Sequence, residues 1–551
     1  MNESVAVRDY SSEVATFDIS EALRLIDAAG EGAVNAAFIC CDRHAVDENR
    51  VALRTRNASG EADEWTFAEF QRRSEQVAAL LASLGVGKGD CVAGLLPRTP
   101  DLLTTIYAVW RLGAVYQPLF TAFGPKAIEY RLQEAQTKVV VTDPENRAKL
   151  SAEIKVPVVN TQENGVDHYL MEDVRSSGAT IAPVPCTLDD PFLIMFTSGT
   201  TGAPKPLFVP IRAIAAFMRY MTDGMGLTAA DRFWNLADPG WAYGLYYAVT
   251  GPLALGFATT FYDGPFTVES AYDTIRALNI TCLAGSPTAY RRMVAEGADA
   301  ALAVKGQLRI VSSAGEALNP EIVRWFDAHL ATTIRDHYGQ TELGMVLCNH
   351  HALEHPVRIG SAGYPSPGHH LAVLSDSLEE IGPGQPGVLA VDRTRSPLMW
   401  FKGYLGRETS AFADRWYLTG DLCEWNDDGS ISFVGRSDDV ITTSGYRVGP
   451  FDVESALLEH PAVIESAVIG KPDPDRTEII KAFVVLHSTF EPSDALAQEL
   501  QRHVRTRLSA HAYPREIEFV DALPKTPSGK VQHFLLRAQE KAKLECTPEH
   551  S

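Results

Sequence analysis

Eight cysteines are scattered over 551 residues without a single CxxC pair, and two of them, Cys40 and Cys41, are adjacent. That spacing excludes the usual structural zinc site and a disulfide framework, and it fits a reducing, cytoplasmic setting. A positive balance is missing too: 49 Lys and Arg stand against 70 Asp and Glu, a net charge of −21. Nucleic-acid backbones and anionic membranes are held by basic surfaces, so neither is an expected partner, and an anionic substrate must be met by local cations. No apolar run reaches membrane-spanning length, and the opening "MNESVAVRDYSSEVATF" has no apolar signal core, so no membrane insertion is expected. The phosphate-loop pattern GxxxxGK[ST] is absent as well. Its nearest approach, "FTSGTTGAPKP" at residues 196–206, has only two threonines between Gly199 and Gly202. Lys205 there stands between Pro204 and Pro206, and no ordinary helix runs through such a lysine.

What remains of that segment is still an anion cradle. Glycines admit backbone N–H groups at close range, and Thr197, Ser198, Thr200 and Thr201 add hydroxyls without bulk. Around it the chain reads as an ordinary globular protein, 45% hydrophobic and 22% charged, and too long for one core. Helical and strand patterns alternate: "WTFAEFQRRSEQVAALLASLG" precedes "CVAGLL", and "IEYRLQEAQTKVVVTD" and "AYDTIRALNITCLAG" repeat the order. Alternation of this kind predicts α/β layers with largely parallel sheets. Near residue 436 the texture changes to a polar, glycine-bearing connector, "GRSDDVITTSGYRVGP", followed by a small α+β pattern. The expected organisation is a large domain over residues 1–435 and a small mobile one over 436–551.

Four further segments carry candidate chemistry. "SSAGEALNPE" (312–321) follows the strand pattern "LRIV", so its turn is expected at the C-terminal end of a strand, where open α/β sheets bind ligands. "DHYGQTELG" (336–344) offers the Thr341 hydroxyl to a phosphate and the Glu342 carboxylate to Mg²⁺. "WYLTGDL" (416–422) puts Asp421 just past a strand pattern, and "LPKTPSGKVQ" (523–532) presents Lys530 beyond a Ser-Gly turn. Each alone reads equally well as a turn acid, a helix cap or a solvated lysine.

Taken in order, these motifs resemble those of the adenylate-forming superfamily: acyl-CoA synthetases, peptide-synthetase adenylation domains and firefly-type luciferases. "NAAFICCDRHA", "DPGWAYGLYYAVTGPLALG" and "SGYRVGPFDVE" are most similar to the acetyl-CoA and medium-chain acyl-CoA synthetase branch. The resemblance implies that ATP and a carboxylic acid form an acyl adenylate, which coenzyme A then intercepts. It implies a β- and γ-phosphate cradle of Thr197, Ser198, Gly199, Thr200, Thr201, Gly202 and Lys205. Thr341 would hold the α-phosphate, Glu342 would bind Mg²⁺, and Lys530 would bridge the α-phosphate and the carboxylate. Gly315, Glu316 and Ala317 would line the adenine with Asp336 at its amino group, beside Tyr338 and Gln340, and Asp421 and Arg436 would grip the ribose. Asp438 matches the hinge, Ser444 and Gly445 the pantetheine tunnel, Arg447 the same connector, and Arg505 and Arg131 the CoA nucleotide contacts.

The acyl pocket would be lined by Trp241, Ala242, Tyr243, Ala314 and Gly339. Acetate-activating relatives close it with tryptophan at the last of these positions, so the glycine implies an open pocket suited to a medium-chain or aromatic acid. Two departures stand out. Pro206 replaces the glycine that follows the loop lysine in the family and is expected to stiffen the segment. Thr442 stands where many relatives carry lysine or asparagine, and nothing explains it. Two other readings stay open here: an enzyme that loads a carrier protein or works oxidatively like a luciferase, and an inactive relative that senses nucleotide or acyl-CoA.

Overall fold

The computed structural model describes residues 7–27, 33–169, 179–197, 204–436, 439, 441–443, 446–473, 476–508, 512–526 and 530–545. A first sheet of seven strands runs in the order Lys205–Pro210, Pro191–Thr197, Val115–Pro118, Cys91–Leu95, Val139–Thr142, Val158–Asn160, His168–Tyr169. Only its first pair is antiparallel, with Lys205 opposite Thr197. The two ends of the glycine-rich segment are therefore held side by side by a ladder of backbone hydrogen bonds.

The helices of this layer form where caps and apolar spacing agree. Helix Phe67–Ser83 starts at Thr66, whose side chain and that of Glu69 make a reciprocal capping box, and buries Phe67, Phe70, Val77, Leu80 and Leu81. Helix Pro100–Arg111 begins with proline, which has no N–H to lose there, and is buried from Leu102 to Arg111. A fully buried arginine needs its charge met: Asp42 accepts two hydrogen bonds from Arg111, at 2.9 and 2.6 Å, tying the N-terminal segment to this helix.

The second sheet places the site. Strands Phe233–Asn235, Cys282–Gly285, Ile310–Ala314 and Ile334–Gln340 lie parallel, and Gly344–Cys348 and Tyr364–Pro365 add an antiparallel edge. A three-stranded sheet of Thr259–Asp263, Val51–Asn57 and Ala62–Thr66 stands apart from it. A fourth, wholly antiparallel sheet is built on the long strand Trp416–Trp425, which pairs with Pro386–Asp392, Phe412–Ala413 and Ile431–Arg436. The α/β expectation holds for the layers, although parallel pairing among the described residues of this part of the chain is confined to the first two sheets, one pair of the third and the short pair Arg8–Asp9 with Leu353–Glu354.

Beyond residue 440 the chain builds a fifth sheet around the hairpin Val463–Asp473 and Thr477–Leu486, covered by helices Pro450–Leu458, Asp494–Arg507 and His533–Glu545. Its two apolar clusters, around Val453, Leu457 and Leu500 and around Ile469, Phe483 and Leu536, draw only on this part of the chain. Helix His533–Glu545 is anchored electrostatically. Arg537 pairs with Asp439, and the His533 ring nitrogen lies 2.8 Å from Glu454 Oε1. Burial opposes the charged imidazole, but Glu454, with Asp439 behind it, prevails and raises its pKa. A raised folded-state value means stabilisation that is complete below the ordinary imidazole range and is lost as pH climbs through the folded value. His533→Gln is therefore expected to lower Tm by about 2 °C at pH 6 and to leave it unchanged at pH 9, as thermal scans at both values would register.

Candidate active site

At the C-terminal ends of the second sheet's strands, two polar clusters and an aromatic one meet. The first centres on Asp421, which lies inside the strand Trp416–Trp425 and not past its end as expected from the sequence; Gly420, at φ +74°, kinks the strand there. Asp421 pairs in register with Arg436, whose Nη1 donates to Oδ1 at 3.1 Å. Its Oδ2 accepts from Tyr338 Oη at 2.5 Å and from Gln340 Nε2 at 2.8 Å. Tyr417 in turn donates to Gln340 Oε1 at 3.0 Å, fixing the amide's orientation. Burial pushes the Asp421 carboxyl up, while Arg436, these donors and the charge of Lys530 pull it back. The charge of Lys530, 109 residues on in the chain, thus acts on the same carboxylate that Tyr338, Gln340 and Arg436 hold by hydrogen bonds.

Next to it, strand Ile310–Ala314 ends in the Gly315 turn, at φ +97°. Glu316 does not face outward there: its carboxylate accepts from Thr288 at 2.8 Å and from Arg291 at 2.8 Å, so only its backbone is free to border a ligand. Ala317 follows, half-buried. Asp336 Oδ2 accepts from Leu318 N at 3.2 Å, whereas Oδ1 is buried with no hydrogen-bond partner among the described residues. Desolvation holds this carboxyl well above the usual range. A buried acceptor without a donor is costly, and a ligand amino group would satisfy it.

The second cluster lies at the turn after strand Ile334–Gln340. The Thr341 carbonyl accepts from Tyr246 Oη at 2.9 Å, and the buried Glu342 accepts from Tyr404 Oη at 2.6 Å. Burial raises the Glu342 pKa, and the Tyr404 hydrogen bond and the charge of Lys205 oppose this. Lys205 sits over the Tyr404 ring, 5.0 Å from its centroid. Thr197 closes the opposite strand. Ser198, Gly199, Thr200, Thr201 and Gly202 lie outside the described residues, as do Asp438, Ser444 and Gly445.

The third cluster is aromatic. Two segments of π-helix, Tyr220–Gly224 and Leu245–Thr250, bring Tyr220, Tyr246 and Tyr247 together, with Tyr243 and Ala242 on the short helix Ala242–Gly244. Tyr220 Oη and His337 Nδ1 are 2.8 Å apart, Tyr243 and Tyr247 stack edge to face at 6.0 Å, and Ala314 is buried in the same apolar core. Trp241 packs against Phe120 and Phe123, with its indole N–H unpaired among the described residues.

Gly339 departs from expectation. A Cβ at this position would lie 2.2 Å from the Gly344 carbonyl oxygen and 2.8 Å from Met345 Cα, at a register shift between the paired strands. The absence of a side chain thus serves the close approach of two backbones and leaves no space pointing to an acyl group. Arg131 also departs. It is buried, donates to Ala127 O at 2.9 Å and lies over the Phe123 ring at 4.1 Å, so it does not face a CoA nucleotide. Arg505 is exposed on helix Asp494–Arg507, and Arg447 lies in strand Tyr446–Val448 opposite Thr442.

Residues 41–405 match the AMP-binding enzyme family, and residues 452–530 match the AMP-binding enzyme C-terminal domain. The chain belongs to the AMP-binding enzymes. It is 36% identical over 551 residues to the acetyl-coenzyme A synthetase of Bacillus subtilis, an alignment covering 97% of this chain and 95% of the relative. It is 54% identical to the solved acyl-CoA synthetase of Brucella canis, with a TM-score of 0.78 and coverage of 98% of this chain and 100% of the other. An anthranilate CoA ligase solved with anthranoyl-AMP is 27% identical, at a TM-score of 0.83 over 96% of this chain and 100% of that one. This AMP-binding enzyme is therefore an AMP-forming acid–CoA ligase: with ATP it converts a small-molecule acid to an acyl adenylate and passes the acyl group to CoA. Among the described residues no helix is long and apolar enough to cross a membrane.

Sequence reasoning missed three partners in this AMP-binding enzyme: Tyr404 on Glu342, Arg291 on Glu316, and the Tyr220–His337 pair. The first two link residues 62 and 25 positions apart and leave no local pattern. The third, 117 positions apart, leaves none either.

Proposed function

We propose that this ligase activates a medium-chain or aromatic carboxylic acid, using one face of the 436–551 domain for each half-reaction. In the first, a carboxylate oxygen bonds to the α-phosphorus of ATP as the bond to pyrophosphate breaks. Negative charge gathers on a group that is already anionic, so oriented cations are the effective remedy. Lys530 neutralises it between the α-phosphate and the acid, Thr341 donates to the α-phosphate, and Lys205 with residues 197–202 receives the leaving pyrophosphate. Asp421 and Arg436 orient the ribose, Tyr338 and Gln340 hold Asp421 in place, and the unpaired Asp336 Oδ1 accepts from the adenine amino group. The observation that carries this reading is the buried Asp421 carboxylate, held by Arg436, Tyr338 and Gln340 and within the electrostatic reach of Lys530 from the C-terminal part of the chain. The contact between Asn319 and Ser455, at 2.8 Å, supports the same arrangement.

Mg²⁺ commonly keeps several waters and is held by one or two carboxylates with substrate phosphates. Glu342, a single buried carboxylate beside Lys205, fits that demand, and the ion when bound would spread the phosphate charge. In the second half-reaction the CoA sulfur bonds to the acyl carbon as AMP leaves. Rotation about Asp438 withdraws Lys530 and brings Ser444, Gly445 and Arg447 to the thiol, with Arg505 near the CoA nucleotide. Exclusion of water from the mixed anhydride makes this alternation worthwhile.

The acid class rests on the half-buried Tyr243, backed edge to face by Tyr247, and on the small half-buried Ala242 beside it, on which a ring or an alkyl chain can pack. The solved anthranilate ligase is in keeping with it. Each buried methylene adds about 0.8 kcal/mol, so hexanoate or benzoate is expected to exceed acetate at least about ten-fold in kcat/KM. Pyrophosphate release across acetate, butyrate, hexanoate, octanoate and benzoate tests this, and a preference for acetate would refute it.

A further inference from the structure

The phosphate end of the site carries a side chain that the adenylation chemistry leaves unexplained. Tyr404 donates to Glu342 Oε1 at 2.6 Å, while the Lys205 ammonium stands over its ring at 5.0 Å. Its loop is fastened to the leg of the glycine-rich segment: Leu405 N donates to Pro206 O at 2.8 Å. Two residues further on, Arg407 donates to Tyr130 Oη at 2.8 Å and to Glu134 at 2.8 Å, and Tyr130 itself donates to Pro204 O at 2.9 Å. Both neighbours of Lys205 in sequence are thus tied to the loop that carries Tyr404. On the other side of the loop lies a cavity of about 640 Å³ bordered by Phe208, Trp400, Tyr404 and Phe412. The ring meets Phe401 edge to face at 5.1 Å, and the hydrogen bond to Glu342 fixes the direction of its hydroxyl.

We propose that Tyr404 is a positioning residue that couples the two ends of the triphosphate site, its hydroxyl orienting Glu342 and its ring carrying Lys205. The inference rests on the phosphate-binding reading of Lys205 and Glu342 given above. A charge-assisted hydrogen bond to a buried carboxylate and a cation over a ring are both substantial in a desolvated place, and here one side chain supplies both. The stiff proline at 206 then has a use, because the lysine is presented to a fixed ring.

The test is calorimetric binding of a non-hydrolysable ATP analogue with Mg²⁺, and of AMP, to the full-length protein. Tyr404→Phe is expected to weaken the analogue about ten-fold and to leave AMP, which has neither outer phosphate, unchanged. Glu342→Gln added to Tyr404→Phe is expected to cost less than in the wild-type background, because both changes break one contact. Wild-type affinity of Tyr404→Phe for the analogue, equal weakening of AMP, a fall in Tm that accompanies loss of both ligands, or full additivity with Glu342→Gln would each overturn the coupling. Lys205→Ala separates the two levels: if it leaves analogue binding unchanged, the phosphate reading itself is wrong.

Discussion

Lys530→Ala is expected to slow acyl-adenylate formation by about 10²-fold or more, while thioester formation from a supplied acyl adenylate stays within about two-fold of wild type. The asymmetry follows from where charge changes. In-line displacement of pyrophosphate crowds negatively charged oxygens around the α-phosphorus, and the charge of Lys530 reaches the Asp421 end of the site. Attack of a thiol on the acyl carbon leaves the α-phosphorus four-coordinate throughout, and the charge that AMP gains as it departs develops after rotation of the C-terminal domain has withdrawn Lys530, so the lysine does not act in that step. Acetylation of Lys530 removes the same charge and should reproduce the variant. Rapid-quench measurement of the two half-reactions decides it, and equal loss in both would remove Lys530 from the mechanism. Because Asp421 also feels Lys530, the variant should bind AMP slightly differently, but Arg436 remains as its nearer counter-charge, at 3.1 Å.

The polar segments on which the resemblance stands were legible because each is a short run of unusual composition, and such runs fall at strand ends where backbone geometry is special. Gly315 shows this: its φ of +97° is one that glycine adopts freely, and it marks the turn from strand Ile310–Ala314 to helix Pro320–Leu330. Asp421 shows the limit. "LTGDL" reads as a turn, yet Gly420 at φ +74° only kinks a strand that continues to Trp425, because three neighbouring strands supply hydrogen bonds that a local reading cannot see. The π-helical segments escaped for a related reason, since their wider turns break the 3.6-residue pattern on which helix reading depends. The contacts of Arg131 were beyond reach as well: an arginine in "IEYRLQE" suggests a solvated face, and only the tertiary fold lays Phe123 and Phe196 beneath it.

Gly339 yields the most demanding test, because sequence and structure assign its missing side chain to opposite causes. By resemblance, the glycine opens the acyl pocket, and Gly339→Trp should fold normally and shorten the preferred acid. In the structure, a Cβ there meets the Gly344 carbonyl oxygen at 2.2 Å and carbon at 2.8 Å, both backbone atoms that no rotamer change can move aside. Strand Gly344–Cys348 would have to withdraw, yet it is buried throughout, and Gly344 itself has φ +69° and packs close to Tyr247. Even Gly339→Ala is therefore expected to cost at least about 2–3 kcal/mol of stability, and Gly339→Trp to prevent accumulation of soluble folded enzyme. The damage should reach catalysis before the fold is lost. Met345 N is held by Tyr247 Oη at 2.7 Å and the Thr341 carbonyl by Tyr246, so a shift of this strand drags the turn bearing Thr341 and Glu342 with it. For Gly339→Ala, KM for ATP should consequently rise about ten-fold while the order of preference among acids stays the same. Denaturant titration combined with the acid panel separates the two causes: wild-type stability of Gly339→Trp together with a shift toward acetate would show that position 339 does border the acid, and that the approach of the two strands is not what requires glycine.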